Sequence, residues 1–467
     1  MRQLLHIFLV TILLYILVGS YSFIYSQKQT VQSQEINLQK SLRIFSKDSV
    51  QNASSSIMEV QSKNQGFTFP LFTSEQRQNI VNPDVGLIVY DTDQDKLYFF
   101  DGTLWQGLEI TNSKDTFSFE LPSEPTNTFG EELIMQDGFA FIAAAHQTVS
   151  GRQYSGVVYY YQKNTENYWV LKQIIAPNIA LRDNAFGFSM SYRNDTLVCG
   201  SYKGVYVFAK NISGNFIETH KISLPTVTEF APYRVSLWQN YLAVVSTGAF
   251  FTYNDDVIYI YHKNGNAWSL SQTISDANDL LLGFSISMDD GFLFLGNGGI
   301  GENAPPDVNK SRIHIYKLQN GQFNLFQIVK ERGDDWLGKT VKYHNNQLYA
   351  HVENGVNIYT LADNSWYKSD FVIIPNPLIV GYFDVYGEYL LNGEEGTSVD
   401  EFTNSGRVIF MKKTNTGWIK NSVRTAPDIE YYTWFGRRLS VFKQDYLISG
   451  YSAKKNKYYV LFGRTYE

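Results

Sequence analysis

Cysteine is all but missing from this chain of 467 residues; Cys199 is the only one. No disulfide framework can form within one chain, and Cys199 lies in the apolar run Leu197-Val198-Cys199-Gly200, where a thiol behaves as a small buried hydrophobe. An exported protein of this size without disulfides reads as bacterial rather than animal. A dominant charge of one sign is lacking too: 39 basic residues face 45 acidic ones, for a net charge of −6. That balance offers no electrostatic footprint for nucleic acid.

Signatures of catalysis are equally scarce. There is no Gly-x-Ser-x-Gly elbow, and Gly296-Asn297-Gly298-Gly299-Ile300-Gly301 does not open a helix, so it reads as a loop rather than a phosphate cradle. No Ser-x-Asp-x-Gly-x-x-Trp box of sialidase-type propellers is present. No two of the seven histidines fall at a metal-ligand spacing on one element, and His146, at the start of a long loop, is the most site-like. The acid pairs Asp289-Asp290, Asp334-Asp335 and Glu394-Glu395 read as solvated turn residues.

What the chain has in excess is aromatic: 33 Tyr and 32 Phe, residues that favour pleated, half-buried strands. It begins with Arg2 and an apolar run of 15 residues, Leu4–Val18, closed by Gly19-Ser20. The run is short for a membrane span and right for a signal peptide over residues 1–26, with cleavage after Ser26 or Ser22; an uncleaved anchor is the competing reading. Either way the rest is expected to be exported, to the cell surface or secreted. Residues 27–65 are polar and Gln/Ser-rich, a linker or stalk with one short strand near Ser56–Val60.

Residues 66–110 form a small module. Ser74–Ile80 carries a capped helix start, and Gly86–Asp91 with Lys96–Asp101 make a hairpin. Asp91, Asp93 and Asp95 imitate a calcium triplet, but Lys96 follows and a turn is needed there, so turn chemistry explains them better. The order Met58-Glu59-Val60, Gly66-Phe67, Pro70, Gln76-Arg77, Gly86-Leu87-Ile88-Val89-Tyr90, Leu97-Tyr98, Asp101-Gly102-Thr103 and Trp105 resembles a module of surface and tail-fibre-like proteins of the Bacteroidota. That resemblance implies an envelope setting and a homo-oligomer built through this module, not an activity.

From residue 128 one pattern recurs. Its third strand reads Val158–Tyr161, Val205–Phe208, Ile258–Tyr261, Ile313–Tyr316, Val356–Tyr359, Val408–Met411 and Tyr459–Phe462, at spacings of 47, 53, 55, 43, 52 and 51 residues. A period near 50 with four strands per unit is the mark of a propeller blade. The first strands open with Phe129-Gly130, Phe186-Gly187, Gly283-Phe284, Leu337-Gly338 and Phe435-Gly436; blade three has Tyr233-Arg234 and blade six Gly381-Tyr382. Small residues ending the second strands suggest crowding near a central channel. The seventh blade runs out after three strands, and Asp115–Pro122 alternates like a fourth strand, so it is expected to close the ring. The fold class is therefore all-β: a seven-bladed propeller over residues 115–467.

The phrases Phe-Gly, Leu-Val-x-Gly and Gly-Val-Tyr-Val-Phe, best in Phe186–Phe208, resemble FG-GAP repeats. That resemblance implies calcium in an Asp-rich loop between second and third strands. No such loop here carries Asp-x-Asp-x-Asp-Gly, so no metal site and no cofactor is assigned. The loops themselves, at one face of a rigid scaffold, are where binding is expected: Arg152, Tyr154, Phe250, Phe251, Tyr253, Asn303, Asp307 and Glu401 populate that rim. The functional expectation is an exported protein whose propeller binds a protein or glycan, in adhesion or surface assembly. An exported hydrolase or lyase, with active-site groups converging from several blades, and a structural fibre component are the alternatives. Ionisable groups converging at one channel mouth would favour the enzyme.

Overall fold

The computed structural model describes residues 42–45, 58–61, 68–94, 96–108, 118–120, 128–165, 167–224, 233–246, 257–275, 283–297, 311–331, 336–374, 382–399, 402–427, 431–453 and 456–465. The chain divides into two compact units, Met1–Pro70 and Leu71–Glu467. In the first, strand Met58–Gln61 pairs in parallel with Leu42–Phe45, which the sequence did not announce. The signal-peptide segment 1–26 lies outside the described residues.

The second unit opens with the module. Helix Ser74–Gln78 is held by a capping box: the Thr73 hydroxyl accepts from Gln76 N at 3.1 Å and the Gln76 side chain accepts from Thr73 N at 2.9 Å. Strands Ile88–Asp91, Lys96–Phe100 and Trp105–Leu108 form an antiparallel sheet, with Leu71–Phe72 added in parallel. Asp91 is buried, accepts Arg77 Nε at 2.9 Å and Ser74 Oγ at 2.9 Å, and takes the backbone N–H of Asp93 and Gln94. The Arg77 guanidinium lies 3.9 Å from the centre of the Tyr98 ring, so Asp91 belongs to a turn that locks a buried cation; Asp95 lies outside the described residues.

Seven four-stranded antiparallel sheets follow. Their first strands are Phe129–Gln136, Ser189–Arg193, Tyr233–Trp238, Ser285–Asp289, Val341–His344, Phe383–Tyr386 and Leu439–Phe442. Each neighbours the next, and the seventh neighbours the first, so the ring is closed. Closure is covalently out of order: Ser118–Glu120 pairs with Lys457–Arg464 in the register Phe462↔Ser118, Leu461↔Phe119, Val460↔Glu120 and supplies the fourth strand of blade seven. This covers the outer edge of Lys457–Arg464, which blade seven would otherwise leave unpaired.

Burial explains the sequence pattern. Third strands pack on both faces and are buried without interruption, as in Val157–Tyr161, whereas outer strands such as Phe216–Ile222 alternate with solvent. The same bulge interrupts the pairing of third and fourth strands in blades one to six, at Tyr160/Tyr161, Val207/Phe208, Ile260/Tyr261, Ile315/Tyr316, Ile358/Tyr359 and Phe410/Met411. A recurring bulge bends each outer strand the same way and is a feature of the repeat.

Two devices stitch blade to blade. Around the channel, serine hydroxyls of one first strand accept the inward N–H of the next: Ser189 from Val235 (3.2 Å), Ser191 from Leu237 (3.0 Å), Ser287 from Tyr343 (3.1 Å) and Ser440 from Met135 (2.9 Å). On the outside, a fourth-strand glutamine grips the backbone of the next blade's aromatic with both ends of its amide: Gln173 on Phe216, Gln272 on Phe323, Gln327 on Trp366. The glycines ending second strands serve this seam rather than the channel. A Cβ on Gly200, Gly296 or Gly393 would strike the carbonyl oxygen of Tyr233, Gly338 or Gly436, each at the opening of the next blade.

Candidate functional site at the channel mouth

The first strands enclose a cavity of about 800 Å³ along the propeller axis. At the end where these strands begin, the residues just after the Phe-Gly step turn inward. They are Glu132, Arg234, Phe284, Lys339, Tyr382 and Arg438, from six of the seven blades. Three cations, one acid and two aromatic rings therefore line this end of the channel, with Phe188 of blade two packed beside Arg234.

Their contacts are close. The Arg438 guanidinium stacks 4.0 Å from the centre of the Tyr382 ring, with Lys339 Nζ at 5.8 Å from the same ring. Arg438 Nε stands 3.8 Å from Glu132 Oε2. Arg234 lies between Phe188 and Phe284, at 5.7 Å and 5.2 Å from their ring centres. Such proximity moves proton affinities. Burial pushes the Glu132 carboxyl up to about 7, against the pull of Arg438, Arg234 and Lys342, although about a third of its side chain still meets channel solvent. Burial would raise the Tyr382 phenol, but Arg438, Arg234 and Lys339 outweigh it and hold it below its ordinary value. Burial, with Arg438 beside it, lowers Lys339. A phenol and a carboxyl shifted toward neutrality beside three cations form a constellation suited to binding an anion and to moving a proton.

The opposite end of the channel is neutralised by ordinary pairs. Arg193 meets Asp289 at 3.1 Å, Lys342 meets Asp384 at 2.8 Å, and Lys443 meets Asp137 at 2.7 Å. His344 Nε2 accepts Gly387 N at 2.7 Å, and burial lowers its pKa, the Lys342 charge adding to the effect. Polarity is thus asymmetric along the axis.

Of the rim residues expected from sequence, the structure describes Arg152 and Tyr154; Phe250, Phe251, Tyr253, Asn303, Asp307 and Glu401 lie outside the described residues. Arg152 is exposed on a tight turn closed by its bridge to Val149. Tyr154 has a left-handed backbone (φ 53°) and its ring packs edge-on against His146 at 5.7 Å. The loops of blades one and six are built alike, with bridges Val149–Arg152 and Val399–Phe402 and closing bonds Gly156 N to Gln147 O and Gly406 N to Thr397 O. Because a second strand ends where its first strand began, these loops open on the same end as the cationic mouth.

The mouth residues themselves were not singled out in the sequence. The usable signal was the irregularity of the repeat, since Tyr233-Arg234 and Gly381-Tyr382 are where the Phe-Gly step fails. The pair Glu394-Glu395 is also more than a solvated turn. Glu394 is buried against Arg407 Nε at 2.6 Å, and Glu395 lies 3.7 Å from Arg437 Nε. Among the described residues, no three His, Cys, Asp or Glu side chains are grouped to hold a metal ion, and no helix is long and apolar enough to cross a membrane.

Residues 46–118 match the family model of the phage tail like trimerisation region. No curated protein matches the sequence. Solved structures with similar coordinates include the periplasmic gluconolactonase of Pseudomonas aeruginosa (12% identity over 74% of this chain and 95% of that one, TM-score 0.45). A protein from Lactobacillus plantarum (12%, 74% and 91%, 0.44) and Raptor of Chaetomium thermophilum (10%, 75% and 29%, 0.47) are further examples. Scores and identities this low bear on neither activity nor ligand.

Proposed function

We propose that this chain is an exported surface protein in which an N-terminal oligomerising segment carries a propeller head, and that the head binds an anionic ligand at its channel mouth. The observation that carries the reading is the inward convergence of Arg234, Lys339 and Arg438 on Tyr382, at the end of the channel where the long loops open. The trimerisation-region match supports a fibre-like or scaffolding role for residues 46–118, and a trimer as the assembly. The apolar N-terminus supports export, and the blade phrases support kinship with FG-GAP repeats. The test is retention of the full chain on immobilised polygalacturonate, polyglutamate or dextran sulfate, beside neutral amylose. Wild type is expected to be retained on a polyanion and released by salt, and an Arg234→Ala/Arg438→Ala double variant to flow through. Equal retention of both proteins contradicts the reading.

A second reading makes the same mouth an active site of the hydrolase or lyase class. It is favoured by Tyr382 and Glu132, whose proton affinities are both displaced toward neutral pH within one cleft. New reducing ends released from polygalacturonate by wild type, and not by Tyr382→Phe, would support it. No release by wild type from any of the polyanions that bind would reject it.

A further inference from the structure

A second, smaller cavity of about 150 Å³ lies at the seam of blades seven and one, beside the mouth. Consecutive residues divide the two spaces: Glu132 and Arg438 line the channel, while Glu131 and Arg437 line the seam cavity. Alternation of side chains along extended backbone places neighbours on opposite faces. The seam cavity is otherwise aromatic. Trp434 and Tyr451 lie 6.0 Å apart at 36°, and Tyr451 and Tyr458 lie 5.0 Å apart. Its polar rim is His146 Nδ1 at 3.2 Å from Glu131 Oε2, and Arg437 beside Glu395.

The backbone supplies an internal control. Trp434 sits at φ 44° and Tyr432 at φ 57°, left-handed values that strain bulky residues by about 1–3 kcal/mol each. The same corner recurs in blade two, with Asp183 at φ 51° and Ala185 at φ 47°, followed by the same Phe-Gly step. Its bonds are the same: Asp183 N to Gln153 O and Phe186 N to Ser155 O, against Tyr432 N to Thr403 O and Phe435 N to Ser405 O. Blade two makes this corner with alanine where blade seven uses tryptophan. The fold does not need a large ring at this position, so the half-buried indole is there for what it faces.

We propose that the seam cavity is a saccharide-ring subsite, so that the ligand of the mouth is an acidic oligosaccharide. One carboxylate lies at Arg438 and Lys339, and the adjoining sugar ring stacks on Trp434 and Tyr451. This rests on the reading of the mouth as an anion site. Flat aromatic faces ringed by a few charged groups match the apolar face and hydroxyl edge of a pyranose, and an acidic peptide offers no such face.

The test is calorimetric titration of the full chain with galacturonic acid, trigalacturonate and polyglutamate, using wild type, Trp434→Gly and Arg438→Met. Glycine relieves the left-handed strain, so Trp434→Gly is expected to melt no lower than wild type. It should bind trigalacturonate about tenfold or more weaker while its affinity for the monomer stays within about twofold. Arg438→Met should weaken both. Trigalacturonate binding unchanged in Trp434→Gly but lost in Arg438→Met overturns the subsite and leaves the anion site standing. Polyglutamate binding as tightly as trigalacturonate, indifferent to Trp434, overturns the saccharide class. No binding of any acidic probe by wild type overturns both readings.

Discussion

Arg77 in the N-terminal module and Arg438 at the channel mouth are the same chemical object in two settings. Each guanidinium lies flat on a tyrosine, at 3.9 Å from Tyr98 and 4.0 Å from Tyr382. Each has a carboxylate partner. Arg77 reaches Asp91 at 2.9 Å with both side chains fully buried; Arg438 stands 3.8 Å from Glu132, and both keep some exposure to a cavity. In the module, Asp91 is saturated by Ser74 Oγ and two backbone N–H groups, so the charges are used up by the fold. At the mouth, Arg438 is shared among Tyr382, Glu132, Glu395 and Glu131 and still faces the channel, and burial raises the Glu132 carboxyl. The module's pair is sealed inside the fold, whereas the mouth's pair opens on a cavity, which is why we read the first as architecture and propose the second as a binding site.

The largest break in this comparison comes from the module. Arg77→Met leaves Asp91 buried without its cation, and the expected loss is about 3–5 kcal/mol. Hydrogen exchange at the Tyr98 and Val89 amides would read it, and protection equal to wild type would contradict the structural role.

Next comes the mouth's proton chemistry. Glu132 is raised from 4.5 to about 7 in the folded state, so the folded protein holds its proton more tightly than the unfolded chain. Its favourable contribution is complete below about 4.5 and disappears as pH rises through about 7. Glu132→Gln should therefore melt higher than wild type at pH 8, with the gap closing toward pH 4; a constant gap would place the carboxyl in an ordinary environment. Tyr382 should show its phenolate absorbance below the ordinary tyrosine range, and Arg438→Met should move that titration upward. No movement would mean that Arg438 does not govern the phenol.

The smallest effect belongs to the stitching. Ser440→Ala removes the acceptor of Met135 N–H, but channel water can replace it, so the loss should stay within about 1 kcal/mol by denaturant unfolding. A larger loss would show the channel wall to be drier than the cavity implies.

The propeller was legible because each blade repeats the same burial demands. Third strands packed on both faces, such as Ile258–Tyr261, must be apolar throughout, so they align by eye. The closing strand was legible for the same reason, since Phe117-x-Phe119-x-Leu121 alternates as an outer strand does. The mouth was not legible. Its residues come one per blade, about fifty positions apart, and each alone looks like a strand start. Only the closed ring brings Arg234, Tyr382 and Arg438 together. Arg77 was hidden differently: its partner Asp91 sits in an aspartate-rich turn whose pattern invites a metal, and only the fold shows that a buried guanidinium occupies that role.

The central claim, that the mouth's charges serve a ligand rather than the fold, is tested most directly by Arg438→Met. Methionine keeps the apolar contact with Tyr382 and removes the charge. Thermal melting and trigalacturonate titration of the same preparation should show a melting temperature lowered much less than in Arg77→Met, because Arg438 and Glu132 keep solvent exposure, and a loss of binding of about tenfold or more. A melting temperature that falls as far as that of Arg77→Met, with binding retained, would show that Arg438 is architecture too.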